Sequence, residues 1–468
     1  MSFNIKKTAL LFASLLVLVS CKIREDYTRK ADTVEVSLFR TDQLPADSSS
    51  IGDISWKEFF TDPVLQKHIE KALENNLDVR MAVQSIISAE SYLKQFKSLY
   101  FPALSVGPGY SFTTSSLNTQ FGQIIGRRTY INQFDITASI SWEADIWGKL
   151  KSQEKAQMAS YLSSVAGHRA VKSSLVASVA SAYYQLLALD EQKKTINETI
   201  ALRKKNLETT KALKEAGSLT EVAVQQSEAL VSNAESSLIE IDTQIQLLEN
   251  SISLLEGIPS QAIERSTMAE QTLPNGFKLG YPARLLANRP DVMQAEYNLM
   301  QTYELTNAAK AAFYPSLTLT GNGGVQGIDV DKLFSTQSLF ASVVAGLTQP
   351  IVNKRQIRTA YEVSLANRET AYLNFRKTLL TAGKEVSDAL RTYSVQDDFI
   401  ALKQKEADAY RKSVNYSQEL VNYGMANYLE VITASVNHLN AELSIVNAKY
   451  SKMNAGIQLY QALGGGWK

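Results

Sequence analysis

Few residues in this chain have the types and spacing that reaction chemistry requires. The three histidines, His68, His168 and His438, lie too far apart in the sequence to form a short metal-binding motif. No Gly-x-Ser-x-Gly motif for a nucleophilic serine occurs. The stretch GNGGVQG, which begins at Gly321, follows alternating strand residues and does not open a convincing phosphate-binding helix. We therefore assign no catalytic residue, cofactor or metal ligand, and we expect that the protein is not an enzyme.

Cys21 is the residue for which the sequence predicts a covalent modification. Lys6 and Lys7 precede the apolar run ALLFASLLVLV, which is too short to span a membrane and suits a signal-peptide core. The run ends in Leu-Val-Ser-Cys, which resembles the lipobox of bacterial lipoproteins, where the cysteine becomes the acylated first residue. An ordinary signal peptide followed by an incidental cysteine is the alternative. Because Cys21 is the only cysteine, we expect no internal disulfide.

The charge balance of the chain argues against nucleic acid as a partner. The 468 residues include 48 Lys plus Arg and 47 Asp plus Glu, so there is no basic excess to hold a polyanion. Apolar residues make up 45%, which is enough for a sizeable core. The composition and the charge balance do not identify a ligand.

Proline placement permits two very long helices. No proline occurs between Pro108 and Pro259, or after Pro350. Residues 148–215 have a helical pattern, which corresponds to a helix of roughly 100 Å. The pattern ends at EAGSLTEV, where Gly217 suits a C-terminal cap and Ser218 or Thr220 suits the start of a returning helix.

Two apolar seams predict that long helices pair in antiparallel hairpins. Their residues recur at alternating spacings of three and four, as in a coiled coil. The first seam consists of Ala234, Leu238, Ile241, Ile245, Leu248, Ile252 and Leu255. The second, after a glycine turn at Gly424, consists of Val436, Leu439, Leu443, Val446, Tyr450, Met453, Ile457 and Tyr460.

The motifs of the first half recur in the second half at an offset of about 210 residues. YFPALSVGPGYSF corresponds to FYPSLTLTGNGGV, DIWGKLKS to PIVNKRQI, and AGSLTEVAV to YGMANYLEV. We therefore predict a signal peptide at residues 1–20 and a lipid-anchored tail at 21–61. A first structural repeat follows at 62–256, a connector at 257–284 and a second repeat at 285–468.

The strand at residues 136–146 has the length and alternation of a tilted transmembrane β-strand. Its apolar face would meet lipid, with Trp142 and Trp147 near one membrane boundary and Tyr130 near the other. A half-buried strand of a soluble domain is the alternative. A membrane sheet must close, and a single-chain barrel needs at least about eight strands. Because each chain supplies four, we expect association with further copies, in a number that this argument leaves open.

Several motifs together resemble the outer-membrane factors of tripartite efflux and type I secretion systems, the TolC-like proteins. The resemblance runs from about Trp56 to the C-terminus and includes Cys21, and it is closest to the lipoprotein branch that serves efflux pumps. The motifs are DPVLQKHIEKALENNLDVRMA, FPAL, WEADIWGK, LLANRPDVMQAE and YGMANYLEV. Each is short, but their order and spacing are specific.

The resemblance implies a mainly α-helical fold with membrane β-structure. Three chains would form a 12-stranded outer-membrane β-barrel and a periplasmic α-helical tunnel. The protein would be a passive exit duct in the outer membrane, lipid-anchored, with a long periplasmic extension. It would carry drugs or other small toxic solutes delivered by a periplasmic adaptor and an inner-membrane pump. A type I protein-secretion channel and a lipid-anchored coiled-coil scaffold without a pore are the alternatives.

The resemblance also assigns roles to the two hairpin turns. The first turn (Gly217, Ser218, Leu219, Thr220) and the second turn (Gly424, Met425, Ala426, Asn427) match turns that dock the adaptor. Glu430 matches the first of two acidic residues that ring the closed periplasmic end of the tunnel, and Thr433 replaces the second. The motif NRPDV is interpreted as a structural helix start.

Overall fold

The structure, a computed structural model, describes residues 24–29, 38–40, 50–272 and 284–468. The predicted signal peptide and Cys21 lie outside the described residues. The chain divides into two compact units. The first comprises the described residues of Met1–Arg29, Ile87–Ser163 and Glu296–Asn374, and the second those of Lys30–Ile86, Ser164–Ala295 and Phe375–Lys468.

Both halves of the chain share a core order of helix, strand, strand, very long helix and shorter returning helix. In the first half the helices and strands are α1 (Trp56–Phe59), α2 (Pro63–Asn75), α3 (Leu77–Ser98), β1 (Ala103–Thr114), α4 (Gln120–Ile125), β2 (Tyr130–Ala144), α5 (Lys149–Glu215) and α6 (Glu221–Leu255). In the second they are α7 (Leu285–Asn288), α8 (Pro290–Ala311), β3 (Ser316–Gly327), β4 (Leu339–Thr348), α9 (Gln356–Asn422) and α10 (Tyr428–Ala462). Helices α5 and α9 each have 67 residues, and α6 and α10 each have 35.

The first unit contains an antiparallel sheet in the strand order β1-β2-β3-β4. The predicted strand at 136–146 is displaced, because β2 begins at Tyr130 and ends at Ala144. Its earlier start comes from pairing of Tyr130 with Thr114 at the end of β1. Its earlier end comes from Asp145, whose carboxylate accepts hydrogen bonds from the first turn of α5 instead of continuing the strand.

The second unit is built on the predicted hairpin of α5 and α6. Ala234, Ile241 and Ile252 of the first seam are buried and form one cluster with Leu186 and Ile196 of α5. Leu439 and Leu443 of α10 pack against the same cluster. The first seam therefore joins α6 to α5, and the second hairpin covers it.

The second seam is only part of the apolar surface of α10. Ala441 and Ile445, which lie outside the predicted seam, are buried against Ala407 of α9, whereas Leu439 and Leu443 are partly buried against the first hairpin. The helix thus packs on two sides, and a single heptad seam describes one of them. The sequence pattern does not separate these two stripes because both consist of small or aliphatic residues.

The end of the predicted tail belongs to the core of the second unit. Phe59 and Phe60, at the end of α1, are fully buried. The Phe59 ring stacks on Tyr460 of α10 with centroids 4.2 Å apart, and Phe60 lies edge-on to the same ring. Aromatic packing therefore holds Phe59 and Phe60, at the end of the predicted tail, in the core of the second unit.

Candidate functional site: a two-faced sheet and a pair of hairpin turns

The register of the sheet separates an apolar face from a polar face. Leu104, Ile140, Gly321 and Val343 lie side by side across the four strands, and directly paired residues project to the same side. The next row, on the other face, is Ser105, Ser139, Asn322 and Ser342. Leu104 is 69% exposed and Val343 75% exposed, so the apolar face is uncovered in the single chain. An uncovered row of apolar residues across all four strands indicates that this face meets an apolar environment.

Two of the three predicted interface aromatics lie at opposite ends of this apolar face. Tyr130 and Trp142 are separated by 12 positions on β2 and project to the same side. That separation is about 40 Å along a strand, which a tilted strand converts to roughly the thickness of a bilayer core. The Trp142 indole donates to the Tyr100 carbonyl at 2.9 Å. Trp147 lies beyond the strand, where its indole donates to the Pro315 carbonyl at 2.7 Å.

The stretch SWEADIWGKL forms the junction between β2 and α5. The Asp145 carboxylate accepts hydrogen bonds from the backbone N–H groups of Leu150 and Lys151, both at 2.9 Å, and so caps the helix. Gly148 takes φ +75°, which turns the chain. Lys149 donates to both oxygens of Glu143 at 2.9 and 3.2 Å. Glu143 near the end of the strand and Asp145 just after it therefore stabilise the start of the helix.

The corresponding junction before α9 lacks a glycine. Lys354 and Arg355 take φ +51° and +67°, a region that side-chain-bearing residues adopt at a cost of about 1 kcal/mol or more each. Ile351 and Val352, just before them, are almost fully exposed. The repeated motif thus makes the same strand-to-helix turn with less favourable residues.

The first hairpin turn ends α5 with a glycine cap. Gly217 takes φ +77°, and the N–H of Ser218 donates to the Leu213 carbonyl at 2.8 Å, as in a Schellman motif. Thr220 occupies the N-cap position of α6 without a side-chain hydrogen bond. Ser218 is exposed, whereas Leu219 packs against a buried cluster of Ala223, Val421, Tyr428 and Val431.

The second hairpin turn repeats this backbone and exposes more apolar surface. Gly424 takes φ +70°, and the N–H of Met425 donates to the Leu420 carbonyl at 2.8 Å. The Asn427 side chain accepts from the N–H of Leu429 at 3.0 Å and caps α10. Ala426 packs against the same cluster as Leu219, so the two turns lie side by side. The exposed apolar residues here are Tyr423 (78%), Met425 (74%) and Leu429 (52%).

Glu430 lies in the first turn of α10, exposed and directly after the second hairpin turn. It lines an open cleft of about 460 Å³ together with Tyr410, Ser417, Asn427 and Thr433. No cation lies within ion-pair distance of its carboxylate among the described residues. The Thr433 hydroxyl donates to the Leu429 carbonyl at 2.9 Å, so Thr433 adds no charge here.

The first described residues after Cys21 are tied to α8 within the first unit. The Arg24 guanidinium donates to the Glu304 carboxylate at 2.8 and 3.2 Å, and Arg29 donates to Glu296 at 2.5 and 2.7 Å. Both glutamates are largely buried. These pairs fix residues 24–29 a short distance along the chain from Cys21.

The buried ionisable groups of the second unit form structural contacts. His68 contacts the Glu256 carboxylate through Nδ1 and the Glu264 carbonyl at 2.8 Å through Nε2. Both ring nitrogens thus face acceptors, which suits the protonated ring. Burial opposes that charge, but the hydrogen bonds to Glu256 and Glu264 raise the pKa of His68 above its ordinary value. Sequence reasoning missed this pair because its partners are 188 positions apart.

Asp62 is the acceptor of a second buried network. It receives the Tyr183 hydroxyl at 2.8 Å, the Ser266 hydroxyl at 2.5 Å and the Gln271 amide at 2.9 Å. Burial raises the pKa of Tyr183 to about 12. Against its own burial, these hydrogen bonds hold the pKa of Asp62 below its ordinary value. The network joins the start of α2 to α5 and to the segment that follows α6.

The NRPDV motif has the structural role that its interpretation as a helix start implies. Arg289 is buried directly before α8, where it donates to Asp291 at 2.5 and 2.9 Å and to Glu385 of α9 at 2.6 Å. It also donates to the Ala462 carbonyl at the end of α10, at 3.1 Å. One guanidinium thereby joins three helices.

Within residues 24–29, 38–40, 50–272 and 284–468, no helix combines the length and apolarity that crossing a bilayer requires.

The same described ranges contain no group of three or more histidine, cysteine, aspartate or glutamate side chains placed to hold a metal ion.

A family model described as "Outer membrane efflux protein" matches residues 68–257 and 281–465. The solvent efflux pump outer membrane protein SrpC of Pseudomonas putida is 27% identical, over 97% of each chain. SilC of Salmonella typhimurium, named a probable outer membrane lipoprotein, is 26% identical over 99% of each chain. The cation efflux system protein CusC of Escherichia coli is 26% identical over 97% of this chain and 98% of its own.

A solved structure of CusC superimposes on this fold with a TM-score of 0.82 at 24% identity, over 95% of this chain and 99% of that chain. Its likeness concerns the fold. The family model, in contrast, covers both halves of the sequence, including the two hairpins. The chain therefore belongs to the outer membrane efflux protein family and is an efflux component of the outer membrane.

Proposed function

We propose that three copies of the chain form a passive exit duct for small toxic solutes. The observation that carries this proposal is the four-stranded sheet, whose apolar face is uncovered and whose edge strands are β1 and β4. Backbone groups at an open edge are costly inside a bilayer, so the edges must pair with strands of other copies. Three copies supply 12 strands, enough to close a barrel lined by the polar face.

The duct carries drugs, solvents or metal cations and takes its energy from an inner-membrane pump through a periplasmic adaptor. Support comes from the names of SrpC and CusC, which are efflux proteins for a solvent and for cations. These names favour small-solute efflux over type I protein secretion. The two-faced sheet disfavours a coiled-coil scaffold without a pore, because a scaffold has no use for it.

The adaptor docks on the two hairpin turns. The turns lie side by side, and the second exposes Tyr423, Met425 and Leu429 as apolar anchors. The glycines of both turns cap their helices as well. Ser218 is exposed, so a bulky charge can enter the surface there, and Ala426 lies beside the exposed apolar residues of the second turn.

Cys21 anchors the mature chain to lipid, with the signal peptide at 1–20 removed and a tail beginning at residue 21. The Arg24 and Arg29 ion pairs would hold the chain close behind the acylated residue. The name of SilC supports a lipoprotein. The repeats at 62–256 and 285–468, with a connector at 257–284, give each chain two equivalent hairpins.

Glu430 contributes to the periplasmic gate. Three copies related by a threefold axis would repel one another, so closure of such a ring depends on cations or partners. The open position of Glu430 in the first turn of α10, without a cationic partner among the described residues, supports this role. Thr433 supplies no second charge, so the ring carries three acids.

The subunit number tests the duct directly. Native mass spectrometry of the detergent-extracted protein should give a trimer. A monodisperse monomer with its full β-structure would overturn the proposal. In a strain deleted for the gene, the wild-type chain should restore solute resistance, while Ser218→Arg and Ala426→Arg should form trimers without restoring it. Normal resistance with either variant would remove the docking role of that turn.

A further inference from the structure

Arg203 of α5 is a buried charge without an acidic partner. Its side chain is 5% exposed, and no carboxylate lies within ion-pair distance of it among the described residues. Buried arginines are ordinarily paired, because an unpaired charge in a protein interior is costly. The adjacent Lys204, on the outer side of the helix, does have a partner, Glu235 of α6 at 2.7 Å. Glu235 of α6 therefore pairs with a lysine on the exposed side of the hairpin, and Arg203 has no ion-pair partner among the described residues.

The guanidinium of Arg203 has unused hydrogen-bond donors. One terminal nitrogen donates to the Leu230 carbonyl at 2.7 Å, but the buried Nε–H has no acceptor. A guanidinium has five N–H donors in all. Burial without compensating charge lowers the pKa of Arg203, although an arginine remains protonated at neutral pH. The group is a fixed positive charge whose buried Nε–H lacks an acceptor.

Arg203 lines a narrow cleft between α5, α6 and the start of α10. The cleft has about 10 Å³, which is room for one water-sized occupant. Asn206, Ser227, Tyr428 and Ser435 contribute its polar side chains. The hydroxyls of Ser227 and Tyr428 are 2.8 Å apart and bond to each other, and Ser227 also contacts the Ala223 carbonyl at 2.9 Å.

The remaining polar side chains of the cleft favour an acceptor as the occupant. The side chains of Asn206 and Ser435 have no hydrogen-bond partner in the described part of the chain. An amide N–H, a hydroxyl and the guanidinium are thus three unused donors at a cleft that no carboxylate reaches. Such a set of donors matches an anion, and the narrowness of the cleft favours a small one.

We propose that the cleft at Arg203 binds a monovalent anion of chloride size. The anion accepts from Arg203, Asn206 and Ser435 and neutralises the buried charge. Because the cleft joins α5 and α6 to the first two turns of α10, its occupancy holds α10 against the first hairpin just after the second turn. Anion binding at this cleft requires no pore, adaptor or pump, so this proposal does not depend on the proposed transport function.

Bromide locates the site in the unmodified protein. Crystals of the wild-type protein soaked in sodium bromide should show an anomalous peak within about 3.5 Å of the Arg203 guanidinium. No peak there in well-diffracting bromide crystals would overturn the proposal. A carboxylate from a second copy inserted at Arg203 would equally overturn it, because the anion would then have no place.

A melting experiment measures the consequence in solution. At constant sodium concentration, replacing gluconate, which is too large for the cleft, by chloride should raise the apparent unfolding temperature by about 2 °C with saturation. Arg203→Met should abolish this rise, whereas Arg391→Met, at an exposed arginine of α9, should retain it. An equal rise in wild type and Arg203→Met would contradict a site at Arg203. If Arg203→Met fails to fold, the bromide experiment still decides.

Discussion

Glycines that follow the four long helices share one backbone conformation but have opposite surroundings. Gly217 and Gly424, in the hairpin turns, take φ +77° and +70°, and a Cβ added to either would meet nothing within 4 Å. Gly257 and Gly464 follow the other ends of the hairpins and take φ +68° and +91°. The two pairs of glycines therefore differ in what a side chain at each position would contact.

At the packed ends an added Cβ would collide with backbone. At Gly257 it would lie 2.6 Å from the Asn75 carbonyl oxygen, and at Gly464 it would lie 2.5 Å from the Asn288 carbonyl group. The same conformation therefore serves an exposed turn in one place and close helix packing in the other. Stability should depend on the packed ends, whereas the turns should tolerate change and remain free for a partner.

The largest effect is expected at the packed glycines. Gly257→Ala and Gly464→Ala each combine a left-handed backbone with an overpacked Cβ, and each should lower the free energy of unfolding by about 4 kcal/mol. Chemical denaturation of the detergent-solubilised protein measures this loss. A loss no larger than that of Gly217→Ala would show that the surrounding backbone relaxes at little cost.

A smaller loss, with a pH dependence, is expected where α6 ends against α2. The pKa of His68 is raised in the folded protein, so its contribution to stability is complete below the unfolded pKa of about 6.5 and is lost as pH rises through the folded pKa. His68→Gln should therefore cost about 2 to 3 kcal/mol at pH 5.5 and less at pH 9.

The pH profile of unfolding distinguishes this ion pair from simple packing. Wild type and His68→Gln are compared by thermal unfolding between pH 5 and 9. His168→Gln is the control, because His168 is partly buried, has a pKa that burial lowers, and has no acidic partner among the described residues. Parallel profiles for wild type and His68→Gln would mean that the charge of His68 contributes nothing.

At the open turns the expected cost is only conformational. Gly217→Ala and Gly424→Ala should each lower stability by about 1 kcal/mol, because alanine adopts the left-handed region less readily than glycine and meets no atom there. Equal effects at the two turns would match their equal backbone geometry. A loss above about 3 kcal/mol at either turn would indicate packing that the single chain lacks, such as a subunit contact.

The smallest effect concerns the residue that opens each returning helix. Asn427 accepts from the N–H of Leu429, so Asn427→Ala should cost about 0.5 to 1 kcal/mol. Thr220 makes no side-chain cap bond, so Thr220→Ala should lie within measurement error. Thermal unfolding of the two variants side by side checks the difference, and a larger loss for Thr220→Ala would reverse this assignment of the caps.

The sequence predicted elements whose rules are local. The absence of proline and the position of Gly217 predicted the span of α5. In the structure, α5 begins at Lys149 and ends at Glu215, within one residue of the predicted bounds. Cys21, Glu430 and the docking roles of the two turns remain predictions, because acylation, gating and docking require lipid or other chains. The sequence did not predict the aromatic packing around Phe59, because its partner Tyr460 is remote in sequence.

What the sequence determined alone is the set of local conformations: long helices, glycine turns, alternating strands and a repeated order of elements. These depend on spacing and on backbone freedom, which each segment carries itself. Only the tertiary structure decided that His68 meets Glu256, that Arg203 lacks an acid, and that Gly464 is packed whereas Gly424 is open. Each of these depends on which distant segment lies nearby, and pair contacts between helices 200 residues apart leave no periodic pattern in either helix.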